Sequence, residues 1–160
     1  GDGNLPKPHF VRSLIANDGT VIEDSEPEIV NRVLKPGTAS QMRAALEKVV
    51  TEGTAKRAAV SGFRVAGKTG TVQKYKPKDK NTPVGHYMAD SHIVSFAGMM
   101  PAQDPAFVCV VVVDDPRTSK VGRAGGTIAA PTFSKIATRV ASHLNLKPTE
   151  PVTTPLAATR

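Results

Sequence analysis

Cysteine is nearly absent, with one in 160 residues. That excludes a disulfide framework and a multi-cysteine zinc site within the chain. Tryptophan is missing and aromatic residues make up 4%, so there is little stacking surface for single-stranded nucleic acid. No apolar run approaches the ~20 residues that span a bilayer. No signal-peptide pattern opens the sequence, and the residues alone name no compartment. The histidines His9, His86, His92 and His143 are scattered, with no pair at the i, i+4 spacing of a helical zinc site. No metal site and no cofactor are expected. Acidic residues are outnumbered, with Asp+Glu 14 against Lys+Arg 21 and a net charge of +7. That balance favours anionic partners. The densest basic stretch, Lys74, Lys76, Lys78 and Lys80, is interleaved with Tyr75, Pro77 and Asp79. It reads as a solvated loop rather than a nucleic-acid face.

What is present is a globular composition, 39% hydrophobic and 22% charged, outside the range of disordered chains. Gly1 to Pro8 reads as a loop. His9 to Ile15 reads as a strand, and Asn17-Asp18-Gly19 as a turn whose residues tolerate positive φ. Thr20 to Glu23 then returns as the second arm of a hairpin, and Ile29 to Leu34 is a further strand. Thr38-Ala39-Ser40-Gln41 fits a capping box with Thr38 as N-cap. Met42, Ala45, Leu46, Val49 and Val50 continue it as an amphipathic helix, and Gly53 is the stop. Val65 to Gln73 is a strand, Lys74 to Asp90 a polar loop, and His92 to Met100 the next strand. Phe107 to Val113 is a third, closed by Asp114-Asp115-Pro116. After Gly125-Gly126, Thr127 is the expected N-cap of a helix with Phe133, Ile136, Ala137, Val140, Ala141 and Leu144 on one stripe. The domain is expected over residues 1–145, with residues 146–160 a Pro/Thr-rich disordered tail.

The run Phe107-Val108-Cys109-Val110-Val111-Val112-Val113 is continuously apolar, as in a strand buried on both faces and flanked on both sides. Strand 92–100 supplies one neighbour. The second is either the hairpin at 9–23 or a segment outside these residues.

Lys68-Thr69-Gly70 is the sharpest local signal. A lysine ammonium can hold a carboxylate or help move a proton. Thr69 and Thr71 are two apart, so on a strand their hydroxyls share a face and can clasp a carboxylate. The strand edge can pair with an extended peptide, and the Thr71 N–H can point at a developing oxyanion. The plainer alternative is an ordinary strand with a surface lysine.

The stretch Val65-Ala66-Gly67-Lys68-Thr69-Gly70-Thr71-Val72-Gln73 resembles the third-motif strand of class B penicillin-binding proteins. Pro6 to Val11, Met42 to Ala55, Ser95-Phe96-Ala97-Gly98, Pro101-Ala102, Asp104-Pro105 and Gly125 to Phe133 are similar to their neighbouring segments. The spacing most resembles the division branch, and the likeness covers most of residues 5–145. It implies an α+β fold, an antiparallel sheet with packed helices, forming the C-terminal part of a transpeptidase domain. It implies a serine DD-transpeptidase that cross-links peptidoglycan stem peptides through an acyl-enzyme and is acylated by β-lactams. Lys68 and Thr71 would be catalytic, and Lys68, Thr69, Gly70 and Thr71 would bind substrate. The implied location is the periplasmic face of the cell membrane, with a division glycosyltransferase complex as a further partner and no role for nucleic acid.

The sequence departs from that family in one large respect. None of its serines is followed by lysine at the third position or by asparagine at the second. The nucleophile and its lysine are therefore expected from an upstream part of the same transpeptidase, and this segment alone should be inactive. Two alternatives stay open: a non-catalytic module that binds anionic polymer or peptide, and a DD-carboxypeptidase or β-lactamase sharing the motif. A smaller departure is Gly122-Arg123-Ala124, where the family often carries an aromatic residue. Ser119 and Arg123 lie in the loop that the family places near its cleft. Cys109 reads as a small buried hydrophobe, Asp114 and Asp115 as turn residues. His86 and Tyr87 belong to the loop after the motif, and no serine completes a triad with Asp90 and His92.

Overall fold

The computed structural model describes residues 2–117 and 122–152. Ser119 and the last eight residues of the expected tail lie outside them. The chain divides into two compact units, Gly1–Met42 and Arg43–Arg160.

The first unit holds two small antiparallel pairs. Strand β1 (Asn4–Pro6) pairs with β4 (Ile29–Arg32), and β2 (Ser13–Ile15) with β3 (Val21–Asp24). The hairpin turn falls where Asn17-Asp18-Gly19 places it. Gly19 has φ 87°, and the Asp18 carboxylate accepts the Thr20 N–H at 2.9 Å. That bond holds the Asp18 carboxyl below its ordinary range. Two expectations change. The opening loop contains β1, because the backbone of Asn4 to Pro6 finds partners on β4. The strand expected from His9 begins only at Ser13.

Helix α1 (Pro36–Thr51) starts two residues before the expected cap. Proline suits the first helical position, where no N–H is needed, and the Lys35 carbonyl accepts the Ala39 N–H. Thr38 is thus inside the helix. Gly53 closes it, its N–H bonded to the Lys48 carbonyl. A Cβ on Gly53 would lie 2.9 Å from the Val49 Cα, too close for any other residue.

The second unit is built on a three-stranded antiparallel sheet in the order β5-β6-β7, comprising β5 (Ala66–Lys76), β6 (His86–Met100) and β7 (Phe107–Asp114). The register pairs Thr69 with Phe96 and Phe96 with Val111, and Thr71 with Val94 and Val94 with Val113. Residues directly opposite share a face, so one face presents Thr69, Thr71, Val94, Phe96 and Val111 together. Helix α2 (Ala129–His143) packs against this sheet. Phe133 stands edge-on to Phe96 with centroids 4.9 Å apart, and both are fully buried. Gly98 makes this possible, since a Cβ there would meet both rings.

Three further differences concern this unit. The basic stretch is shorter as a loop than expected, because β5 and β6 extend as a hairpin arm to Lys76 and from His86; Tyr75 pairs with Tyr87 across it. Strand β7 has one neighbour among the described residues, and Val108, Val110 and Val112 are 68%, 61% and 60% exposed. Its alternate residues Phe107, Cys109, Val111 and Val113 face the core, and among the described residues nothing covers the valines of the other face. Helix α2 begins at Ala129, with Ile128 at its N-cap. The Thr127 hydroxyl instead bonds the Ala124 carbonyl at 2.9 Å and closes the preceding turn.

The C-terminus of α2 is capped through Asn145, whose φ of 52° is left-handed. The Leu146 N–H bonds the Ala141 carbonyl and the Asn145 N–H the Ser142 carbonyl, the two bonds of a Schellman cap. The chain then runs back over the core: Leu146 packs on it, and the N–H groups of Thr149 and Glu150 bond the Gly62 carbonyl. Residues 146–152 of the expected tail are therefore held by a turn of the second unit.

Candidate active site

Strand β5 sets the geometry. Thr69 and Thr71 project from the same face and line a cleft of about 490 Å³. The other walls are Gly53, Thr54, Lys56 and Arg57 after α1, and Ala124 to Thr127 before α2. Each motif hydroxyl is fixed by a partner. The Thr69 and Thr54 hydroxyls bond each other at 3.0 Å, and the Thr71 hydroxyl accepts the Gly125 N–H at 3.1 Å.

Glycine is required where the turn before α2 crosses the strand. A Cβ on Gly125 would lie 2.6 Å from the Gly70 carbonyl oxygen and closer still to that of Ser95. A Cβ on Gly126 would run into the Thr54 carbonyl. The glycine pair therefore lets the turn lie flat on the strand and bring its amides to the motif. Gly70 itself faces Ser95, whose hydroxyl would collide with a larger side chain.

Lys68 stands apart from the two hydroxyls. It is exposed, it alternates with Thr69 and so belongs to the opposite face, and its ammonium donates to the Thr69 carbonyl at 2.9 Å. The structure brings Thr69 and Thr71 to one cleft wall and leaves Lys68 at the strand edge.

Sequence reasoning missed Thr54, Lys56 and Arg57. The signal was faint: Ala55 and Ala58 are completely buried and pin the 3₁₀ turn Lys56–Ala58, so the two intervening cations turn outward. Lys56 also lines a neighbouring groove beside the Arg64–Glu47 ion pair, where the carboxylate of Glu47 raises the pKa of the guanidinium.

Other expected candidates lie elsewhere. His86, Tyr87, Asp90 and His92 all sit on β6. Asp90 contacts Arg123 through its carbonyl. Asp115, at φ 47°, takes the Ser91 hydroxyl at 2.8 Å, and that bond holds its carboxyl below the ordinary range. Lys74 pairs with Asp114 at 2.9 Å, which raises the ammonium pKa. These ionic contacts tie off the strand ends. Cys109 is partly buried against the core.

Residues 1–138 match the family model described as the penicillin binding protein transpeptidase domain. Penicillin-binding protein PbpB of Mycolicibacterium smegmatis is 38% identical over 152 residues, covering 91% of this chain and 22% of that protein. Stage V sporulation protein D of Bacillus subtilis is 42% identical over 148 residues, covering 91% of this chain and 21% of that protein. The chain thus spans about a fifth of the length of these curated relatives. Among solved structures, penicillin-binding protein 3 of Mycobacterium tuberculosis in complex with ampicillin superposes with a TM-score of 0.73 at 28% identity, covering 96% of this chain and 35% of that one. The apo transpeptidase domain of penicillin-binding protein 3 from Burkholderia pseudomallei gives 0.66 at 37% identity, covering 81% and 37%.

Proposed function

The chain belongs to the penicillin-binding protein transpeptidase family, and on that premise we propose that it supplies the carboxylate-binding wall of a serine DD-transpeptidase. The reaction is the cross-linking of peptidoglycan stem peptides. A serine outside this chain attacks the penultimate D-Ala carbonyl, D-Ala leaves, and the acyl group passes from serine to an amine of a neighbouring strand. β-Lactams acylate the same serine as substrate mimics. The protein belongs to the division branch and works at the periplasmic face of the membrane.

The observation that carries this reading is the pairing of Thr69 and Thr71 on one cleft wall, each hydroxyl held in place by a neighbour. Thr71 accepts from Gly125 and keeps its own proton to donate, which suits a substrate carboxylate. The oxyanion donor is the Thr71 N–H. Strand β5 is an edge among the described residues. The Lys68 ammonium reaches the Thr69 carbonyl, which puts that carbonyl on the open edge, and the period of two directs the Thr71 N–H to the same side. Lys68 contributes positive field at this edge, next to the peptide that pairs with it.

A fluorescent penicillin tests the proposal. The full transpeptidase that carries this chain should be labelled, and Thr69→Val with Thr71→Val should abolish most of the label. The 160 residues alone should stay unlabelled, since they hold no S-x-x-K. Labelling of the isolated chain would overturn the external nucleophile.

A further inference from the structure

We infer that Lys56 and Arg57 form a second anion subsite in this cleft, one that recognises an additional carboxylate on the donor peptide, upstream of its C-terminal one. The inference rests on the transpeptidase reading and deepens it by naming the substrate class as a peptide with two carboxylates.

Three observations carry it. Both side chains line the same cleft as the Thr69 and Thr71 hydroxyls, on the wall that follows α1. Both are forced outward, because Ala55 and Ala58 on either side are wholly buried and fix the turn. Neither makes an ion pair among the described residues, so both charges stay open to a ligand in the cleft. Two adjacent cations without a bonded carboxylate repel each other, and a bound anion offsets that repulsion. An anionic ligand can therefore engage them without displacing an internal partner. The guanidinium of Arg57 presents a fork that matches a carboxylate in two bonds, and Lys56 adds a point charge beside it.

The cleft also extends from the threonine wall to the wall that follows α1. Its 490 Å³ accommodates a short peptide segment whose terminal carboxylate occupies the threonine wall. The side chain of a preceding residue then faces the Lys56–Arg57 wall. A free carboxylate there gains a charge-assisted contact; its amide counterpart does not.

The test compares two N-acylated peptides ending in D-Ala-D-Ala that differ in one upstream group, a free carboxylate or its amide. The full transpeptidase is assayed, and the ratio of kcat/KM for acid over amide is the readout. The unmodified protein should favour the acid. Lys56→Ala with Arg57→Ala should lower the ratio by about tenfold, and Arg57→Glu should invert it. A structural role alone would change both peptides in parallel and leave the ratio fixed, which would overturn the inference. If the unmodified protein is labelled by penicillin yet treats the two peptides alike, the subsite is absent while the transpeptidase reading stands. If it reacts with neither peptides nor penicillin, the transpeptidase reading fails and the subsite with it.

Discussion

The Thr71 hydroxyl accepts the Gly125 amide at 3.1 Å across 54 residues of sequence. The bond ties the motif strand to the turn that leads into α2, and makes the glycine pair part of the cleft.

Gly125→Ala should therefore damage both fold and function. Its Cβ would press on the backbone carbonyls of Gly70 and Ser95, neither of which can rotate away. Overpacking of this kind costs about 1–3 kcal/mol. A urea melt should show that loss, and penicillin labelling of the full protein should fall with it. A variant as stable and as reactive as the parent would remove the close crossing from the account.

Lys68→Ala should leave the fold intact, since the side chain is exposed, while slowing acylation in the full transpeptidase by ~10²-fold or more, the scale of a lost electrostatic stabiliser. Stopped-flow acylation measures this. Unchanged rates would take Lys68 out of the mechanism.

Thr54→Val leaves the Thr69 hydroxyl without its partner. The expected cost is about 1 kcal/mol in stability, together with weaker binding of substrate, because Thr69 loses its fixed orientation. A rise in KM exceeding the change in kcat would be the kinetic sign.

Ser91→Ala tests the Asp115 contact through pH. The Ser91 hydroxyl lowers the Asp115 pKa. A carboxyl with a lowered native pKa stabilises the fold above its unfolded pKa of about 3.9, and that contribution is lost as pH falls through the native value. The variant should be less stable than the parent at pH 7, and the gap should close as pH falls through the lowered native value. A gap that persists in acid would assign the effect to packing.

Phe133→Ala removes a fully buried ring that stands against Phe96. It should cost about 3–5 kcal/mol, read by chemical denaturation.

Much of this was legible in the residues because it depended on local chemistry. The turn at Asp18-Gly19, the Gly53 stop and the common face of Thr69 and Thr71 follow from φ preferences, capping and a period of two. Three features were not legible because they are set by tertiary context. Helix α1 begins at Pro36 and not after Thr38, since proline is as good a first residue as threonine is a cap. The valines of β7 all read alike, and only the packing of the core shows that Val111 and Val113 turn toward it while Val108, Val110 and Val112 turn the other way. Lys56 and Arg57 resembled any solvated pair until the burial of Ala55 and Ala58 aimed them at the cleft.

Gly98 carries a consequence for how the cleft can vary. With no side chain of its own, it lets the rings of Phe96 and Phe133 meet, and so sets how close α2 rides on the sheet. Gly125 stands eight residues before Phe133 along the chain, with the fully buried Ala129 and Ala130 between them. A helix start so firmly seated acts as a rigid strut. Phe96 shares its sheet face with Thr69 and Thr71, so a shift in the seat of Phe133 would reach the amide that holds Thr71 along that face, without altering a group that lines the cleft.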